Sequence, residues 1–224
     1  MESKLKNVQV KSKQRVADHG EVFTAQREVN AMLDLLKQET ERIDSRFLEP
    51  ACGTGNFLVE ILKRKLEVVE NRYSKNQLEY ERYAIIALSS IYGVDILQDN
   101  VKACGDRLLG VFTHFYLNNY KTGIKAEFLN VAEFVLSKNI LWGDALTLKT
   151  PDEKAEPIVF SEWSAVNGSM IKRRDFTMAN LLNNQPVDGM NLFSDLGDLA
   201  FIPKPVKEYP LAHFLTLADD NNEL

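Results

Sequence analysis

The segment that most constrains the fold of this 224-residue chain is an apolar stretch that runs directly into a glycine-containing turn. Residues 45–49 predict a short strand, and the sequence Pro-Ala-Cys-Gly-Thr-Gly follows at 50–55, which we call the glycine turn. Apolar residues then recur at helical spacing, which predicts a helix over 56–72. A strand, a turn of small residues and a helix in this order favour a parallel sheet covered by helices.

The same alternation of strand and helix continues along the chain. Strands are predicted at 91–96 and 139–144, and each carries an acid near its carboxyl end, Asp95 in the first and Asp144 in the second. A fourth strand is predicted at 157–160, after the Pro-Asp-Glu-Lys stretch. Helical periodicity predicts helices over 28–41, 76–90, 97–114 and 127–136. The predicted fold class is therefore α/β, with a parallel sheet flanked by helices.

The composition changes along the chain and suggests three parts. The sequence predicts a polar N-terminal lead-in over residues 1–18, and the alternating strands and helices lie within residues 19–165. Residues 166–224 are rich in Asn, Asp, Gly and Pro, and the prolines between 201 and 210 are incompatible with a helix. We therefore expect an α/β domain followed by an irregular, extended C-terminal arm.

Charge and cysteine content exclude several classes of function. The net charge of −5 means that any DNA contact needs a local basic patch or a partner. Two cysteines are too few for a disulfide scaffold or a structural zinc site, and no metal site is predicted. The polar N-terminus is not typical of a secretory signal, and no apolar run is long enough to span a membrane. We expect a cytoplasmic protein without membrane contact.

The glycine turn and the two acids suggest one ligand site. Gly53 and Gly55 let a ligand approach the backbone, and the amides that open the next helix favour a carboxylate. Asp95 is placed to accept hydrogen bonds from ribose hydroxyls, and Asp144 from an adenine amino group. The alternatives are a tight turn without a ligand, and an Asp95 that caps the helix beginning near Leu97.

The residues of this site resemble a known family. Residues 47–57, Phe-Leu-Glu-Pro-Ala-Cys-Gly-Thr-Gly-Asn-Phe, resemble the S-adenosylmethionine (SAM) motif of DNA adenine methyltransferases, in the group with the modification subunits of type I restriction systems. Gly-Glu-Val-Phe-Thr at 20–24 resembles the family element that closes over the methionine end of SAM, with Ala25 in place of the usual proline. Tyr-Gly-Val-Asp-Ile at 92–96 and Gly-Asp-Ala-Leu at 143–146 resemble the next two motifs, so the resemblance covers about residues 15–150.

The resemblance implies a Rossmann-like methyltransferase fold, SAM as the cofactor and methyl transfer to the adenine amino group of DNA in a restriction-modification or phage-defence system. It also implies a set of cofactor-binding positions in this sequence. These are Phe23, Thr24, Glu49, Pro50, Ala51, Gly53, Thr54, Gly55, Asn56, Phe57, Asp95, Ile96, Asp144 and Ala145.

One family motif is missing. The catalytic tetrapeptide, Asp or Asn followed by Pro-Pro and an aromatic residue, comes after the fourth strand in the family, and this sequence contains no Pro-Pro. The residues at the corresponding place are Ser161, Glu162 and Trp163, which are the catalytic candidates. Trp163 could stack on a flipped base, although an apolar cap over the sheet edge is the favoured interpretation. Lys172, Arg173 and Arg174 could contact phosphate, whereas a solvated loop is the commoner explanation.

Three hypotheses follow from these observations. The chain is a SAM-dependent DNA adenine methyltransferase, or it is a SAM-binding subunit that is catalytically incomplete. In the second case another polypeptide would supply the catalytic motif and the DNA contacts. The expected partners are DNA, reached through such a subunit, and either another restriction-modification polypeptide or a second copy of the chain. The third hypothesis, a scaffold that binds no SAM, is disfavoured by the intact glycine turn and the two acids.

Overall fold

The structure is a computed structural model that describes residues 12–19, 21–22, 24–182 and 203–219. Its helices and strands, in chain order, are α1 (Lys13–His19), α2 (Gln26–Asp34), α3 (Lys37–Thr40), β1 (Phe47–Glu49), α4 (Asn56–Tyr73), α5 (Gln77–Ser89), β2 (Ile91–Asp95), α6 (Gln98–Asn119), α7 (Ala126–Asn139), β3 (Ile140–Trp142), β4 (Val159–Asn167), β5 (Met170–Thr177), α8 (Met178–Leu182) and β6 (Lys207–His213). A short 3₁₀ helix, Phe214–Thr216, follows β6.

The first sheet is parallel and has the order β1-β2-β3. Phe47 pairs with Ile91, and Gly93 pairs with Ile140, so β2 is the central strand. All five residues of β2 are buried, as expected for a strand covered on both faces. The prediction of a mixed α/β fold with a parallel sheet flanked by helices is confirmed.

Close packing of α4 on this sheet depends on a glycine in β2. The apolar stripe of α4, including Leu58, Leu62 and Leu66, is buried in the main core. A Cβ atom at Gly93 would lie 2.9 Å from Cδ1 of Leu58 and 3.1 Å from Sγ of Cys52. The absent side chain therefore lets α4 and the glycine turn approach β2 closely, which positions the turn at the carboxyl edge of the sheet.

The prediction of a fourth strand in the parallel sheet is wrong. Residues 159–167 form β4, which belongs to a separate antiparallel sheet of order β4-β5-β6. The reason lies in Asn167 and Gly168, an Asn-Gly pair that connects β4 to β5, with Gly168 at φ +54°. Asn-Gly between two extended segments is a strong hairpin signal, and it outweighs the short apolar run at 157–160.

The expectation of an irregular C-terminal arm is also wrong for the described part of 166–224, because Met170–Thr177 and Lys207–His213 are strands of this antiparallel sheet. The prediction that the prolines exclude a helix is confirmed for the described residues 203–210. Pro210 lies in β6, an edge strand, at an irregularity in the pairing with β5, where a missing amide donor is tolerated.

The N-terminal part contains more helix than expected. Lys13–His19, at the end of the expected polar lead-in and the start of the predicted domain, form α1. The single helix predicted over 28–41 is divided into α2 and α3 by a turn at Leu35 and Leu36. Within the described ranges, none of the helices is both long and apolar enough to cross a membrane.

Candidate functional site

A cleft of about 600 Å³ lies at the carboxyl edge of the parallel sheet. The ends of β1, β2 and β3 and the glycine turn form its walls. Among the predicted cofactor-binding residues, those that line it are Thr24, Glu49, Pro50, Ala51, Gly53, Asn56, Phe57, Asp95, Ile96, Asp144 and Ala145. Phe23 lies outside the described residues. The structure therefore brings together residues from four separate segments that the sequence motifs had singled out.

The glycine turn has a backbone conformation that suits glycine at two positions. Gly53 has a φ of +51° and Gly55 a φ of +83°, both in the left-handed region. The Gly55 amide donates to the Cys52 carbonyl at 2.8 Å. A Cβ at Gly55 would lie 2.6 Å from Sγ of Cys104, which packs directly behind the turn. Both conformation and close packing therefore exclude side chains at Gly55.

Cys52 lies in the turn as a buried packing residue. A hydrogen bond with the Cys104 thiol, together with burial, raises the pKa of the Cys52 thiol above its ordinary value. A thiol that is buried and protonated is a poor nucleophile. Packing therefore accounts for Cys52 better than reactivity does.

Asp95 holds the turn and the start of α6 together. Its carboxylate accepts hydrogen bonds from the Gly53 amide at 2.8 Å, from the Leu97 amide at 2.9 Å and from Nδ2 of Asn100 at 3.2 Å. A carboxylate has about four acceptor positions, so about one remains for a ligand. The expected helix-capping contact and a ligand contact are therefore compatible at this residue.

Asp144 shapes the loop after β3. Its Oδ1 accepts from the Leu146 amide at 2.8 Å and its Oδ2 accepts from the Thr147 hydroxyl at 3.0 Å. The loop presents the Leu146 side chain, which is 95% exposed, at the rim of the cleft. Val22 and Ile96 also line the cleft as exposed apolar side chains. Apolar side chains at the rim of a polar cleft suit a flat aromatic ring.

The charge of the cleft lining is entirely negative. The carboxylates around it are Glu21, which is paired with Arg15, and Glu49, Asp95 and Asp144, and within the described ranges no Lys, Arg or His lines it. Burial raises the pKa of the Glu49 carboxyl above its ordinary value. Such a lining repels phosphate groups and attracts a ligand that carries positive charge.

A hydrogen-bond network that no sequence pattern predicted ties Arg15 and Glu21, upstream of α2, to this cleft. The Arg15 guanidinium donates to both carboxylate oxygens of Glu21, at 2.6 and 2.8 Å, and to Asp99 at 2.8 Å. Asn100 donates from Nδ2 to Glu21 at 2.7 Å and to Asp95. Hydrogen bonding to Glu21 raises the pKa of Arg15. The only sequence signal for this network was Glu21 itself, in the Gly-Glu-Val-Phe-Thr element.

The departure at Ala25 also has a structural consequence. The Ala25 amide donates to the Glu28 carboxylate at 3.1 Å, a bond that proline cannot make. The preceding carbonyl, of Thr24, accepts from Nδ2 of Asn56 at 2.9 Å. Thr24 and Ala25, which precede α2, are thus bonded both to α2 and to the first residue of α4.

Two predicted residues of the glycine turn do not line the cleft. Thr54 faces Arg107 of α6, which donates to its carbonyl and its hydroxyl. Gly55 packs against Cys104 on the same helix. These residues belong to the back of the turn, where they contact α6.

The catalytic candidates Ser161 and Glu162 line a different groove, of about 390 Å³, which shares no lining residue with the cleft. The Ser161 hydroxyl donates to Asp175 at 2.7 Å and accepts from Arg173 at 3.0 Å. Glu162 forms ion pairs with Arg46 and with Arg174. Both side chains are therefore engaged within the antiparallel sheet and its contact with β1.

Trp163 is buried, with 7% of its surface exposed. Its Nε1 donates to Oδ1 of Asn139 at 3.0 Å, and Nδ2 of Asn139 donates to the carbonyls of Ser89 and Ile91. Ile91 is the first residue of β2, so Asn139 links Trp163 to the amino end of that strand, whereas the cleft lies at the carboxyl end. The interpretation of Trp163 as an apolar cap agrees with this position, and base stacking in the cleft does not.

The basic cluster at 172–174 belongs to strand β5 and not to a loop. Arg173 is buried, stacks 3.9 Å from the Tyr209 ring centre and pairs with Asp175. Lys172 pairs with Glu208. These cations are therefore engaged by side chains of the antiparallel sheet.

The comparisons with known proteins found nothing that matches this chain, whether against protein-family models, curated proteins or solved structures. In the described ranges there is also no group of three or more His, Cys, Asp or Glu side chains that could hold a metal ion.

Proposed function

We propose that the cleft binds S-adenosylmethionine and that the chain is a DNA adenine methyltransferase-like protein of a restriction-modification or phage-defence system, acting in the cytoplasm. The observation that carries the proposal is the negative lining of the cleft at the carboxyl edge of the parallel sheet. Nucleotide cofactors with phosphates would meet the carboxylates of Glu49, Asp95 and Asp144 there, whereas Glu21 is paired with Arg15. A nucleoside with a cationic side chain, such as SAM, is the complementary ligand.

The residues present fit the parts of this cofactor. Ile96 and Leu146 would contact the adenine ring, and Asp144 would bind its amino group. Asp95 would bind a ribose hydroxyl with its remaining acceptor position. The glycine turn and the amides that open α4 would hold the methionine carboxylate. When bound, SAM supplies a methyl group on a positively charged sulfur, and the carboxylates of the cleft attract that charge.

We further propose that the parallel sheet belongs to a Rossmann-like arrangement. Support comes from the order β1-β2-β3 and from the position of the cleft at the carboxyl ends of the strands, where open α/β sheets bind their ligands. The antiparallel sheet is an addition that this arrangement does not require.

A catalytically incomplete subunit is the form of this function that the geometry favours. Ser161 and Glu162 line the other groove, and Trp163 is linked through Asn139 to the amino end of β2. None of these candidates is therefore placed to hold a target base beside the cleft. We propose that a different polypeptide of the same system supplies the base-binding motif and the DNA contacts, because a second copy of this chain would also lack the Pro-Pro motif.

Isothermal titration calorimetry with four ligands tests the cofactor assignment. We expect SAM to bind, and S-adenosylhomocysteine, which lacks the sulfonium charge, to bind about tenfold more weakly, since this ratio corresponds to about 1.4 kcal/mol of charge attraction. ATP and NAD should show no saturable binding. Binding of ATP or NAD with higher affinity than SAM would refute the assignment.

Transfer of tritiated methyl groups from SAM to mixed-sequence DNA tests the activity. We expect no transfer by the chain alone, and transfer when the candidate partner polypeptide is added. Transfer by the chain alone would show that its own residues complete the catalytic site. Calorimetric SAM binding by the same preparation serves as the control for a folded cleft.

A further inference from the structure

Arg107 contacts the back of the glycine turn from helix α6. Its Nη1 atom lies 2.5 Å from the carbonyl oxygen of Thr54, 3.1 Å from the Thr54 hydroxyl and 2.8 Å from Oδ1 of Asn56. These three acceptors are neutral oxygens, so the contact consists of hydrogen bonds and is not an ion pair. Nη1 carries two hydrogens, so two of the three acceptors share one N–H. Thr54 and Asn56 lie more than fifty positions earlier in the sequence.

The hydrogen bond from Arg107 completes the restraint of one peptide group in the turn. The peptide that joins Thr54 to Gly55 has its carbonyl bound by Arg107 and its amide bound by the Cys52 carbonyl, at 2.8 Å. The Gly53 amide is held by Asp95. With both sides of the peptide bonded, the turn has a defined orientation before any ligand binds, which reduces the ordering cost of binding.

Asn56 extends the same contact to the upstream segment. Its Oδ1 accepts from Arg107, and its Nδ2 donates to the Thr24 carbonyl at 2.9 Å. The bond from Arg107 therefore fixes which side of the Asn56 amide faces Thr24. Thr24 and Asn56 both line the cleft, whereas Arg107 does not. Arg107, which lies outside the cleft, thus orients Asn56 directly and is connected to Thr24 through Asn56.

We propose that Arg107 is a positioning residue that acts through Thr54 and Asn56 to hold the methionine-binding end of the cleft in its binding conformation. This inference rests on the proposed function for the identity of the ligand. The adenosine end, formed by Asp95, Ile96 and Asp144, receives no contact from Arg107 in the described structure. Loss of Arg107 should therefore weaken SAM binding and leave adenosine binding unchanged.

The test compares two variants of Arg107 with a control on the same helix. Arg107→Met removes the donors, Arg107→Lys keeps a charge with fewer directed donors, and Lys102→Met removes an exposed cation that pairs with Asp106. Calorimetry measures the affinities for SAM and for adenosine, and hydrogen exchange of the unliganded protein measures the amides of residues 53–57. Far-UV circular dichroism verifies that each variant is folded.

We expect Arg107→Met to lower the SAM affinity about tenfold, as for a lost hydrogen bond to a charged group, with adenosine affinity unchanged and faster exchange at 53–57. Arg107→Lys should restore part of the loss, and Lys102→Met should match the wild type. Equal losses for SAM and adenosine, or unchanged exchange at 53–57 in both Arg107 variants, would overturn the proposal. Failure of the wild type to bind SAM refutes the proposed function instead, and the exchange measurement still decides whether Arg107 holds the turn.

Discussion

Substituting Gly55 by alanine tests the packing of the glycine turn more directly than any other single change. Gly55 has a φ of +83°, where a residue with a Cβ costs about 1–2 kcal/mol. The new Cβ would also lie 2.6 Å from Sγ of Cys104, which is buried and cannot move into solvent. Overpacking of this kind costs about 1–3 kcal/mol.

The sum predicts that Gly55→Ala lowers the free energy of unfolding by about 2–5 kcal/mol. Urea denaturation, monitored by circular dichroism, measures this change in the free energy of unfolding. With a slope of about 3 kcal/mol per molar urea, the unfolding midpoint should fall by about 0.7–1.7 M. Gly110→Ala is the matched control, because it lies in α6 with no atom within 4 Å of its added Cβ. It should stabilise the protein by about 0.5–1 kcal/mol.

A double-mutant cycle separates the two causes. In a Cys104→Ala background the contact with Sγ is absent, so Gly55→Ala should cost only the backbone strain of about 1–2 kcal/mol. A loss that is as large in this background as in the wild type would refute the steric part of the argument. A Gly55→Ala protein as stable as the wild type would refute both parts.

Three further predictions address other residues. Burial lowers the pKa of Lys65 from its ordinary 10.5 to about 7 in the folded protein. The unfolded chain therefore binds this proton more tightly than the folded protein does, and the free energy of unfolding should rise by about 2 kcal/mol from pH 7 to pH 9. Urea midpoints at the two pH values should show this rise, and Lys65→Met should abolish it. Trp163→Leu should lower the free energy of unfolding by about 2–4 kcal/mol in urea denaturation, because it removes buried ring area and the hydrogen bond to Asn139. The SAM affinity measured by calorimetry should not change. A loss of SAM affinity without a loss of stability would contradict the position of Trp163 away from the cleft. Asp95→Asn should weaken SAM binding at least tenfold in calorimetry. An amide has a single acceptor oxygen, so when that oxygen accepts from Gly53 the NH2 group takes the place of the second carboxylate oxygen and cannot accept a hydrogen bond. Unchanged SAM affinity would contradict this role of Asp95.

Residues near one another in the sequence were predicted well. The strand at Phe47–Glu49, the glycine turn and helix α4 follow from a contiguous pattern, and all three are present. Strand β2 and the start of α6 are likewise close to their predicted positions. Most of the cleft lining belongs to these segments, because parallel strands place their carboxyl ends at the same edge of the sheet.

Residues whose role depends on distant partners were not predicted. Nothing local connects Arg107 with Thr54, or Arg15 with Asp99, which are separated by 53 and 84 positions. Ser161 and Glu162 were assigned by their place after an expected parallel strand, and that strand pairs in the other sheet. The Asn-Gly pair at 167–168 is a local signal for that pairing.

The sequence by itself determined the βαβ-type start of the fold, the conformation of the glycine turn and the acids at the strand ends. These depend on periodicity and on glycine backbone freedom, which are properties of neighbouring residues. Only the tertiary structure decided that Trp163 is buried, that Asp95 bonds Gly53 and that the cleft is lined by carboxylates without a cation among the described residues. Burial, hydrogen-bond partners and the net charge of a cleft arise from segments that meet only after folding, so no local pattern encodes them.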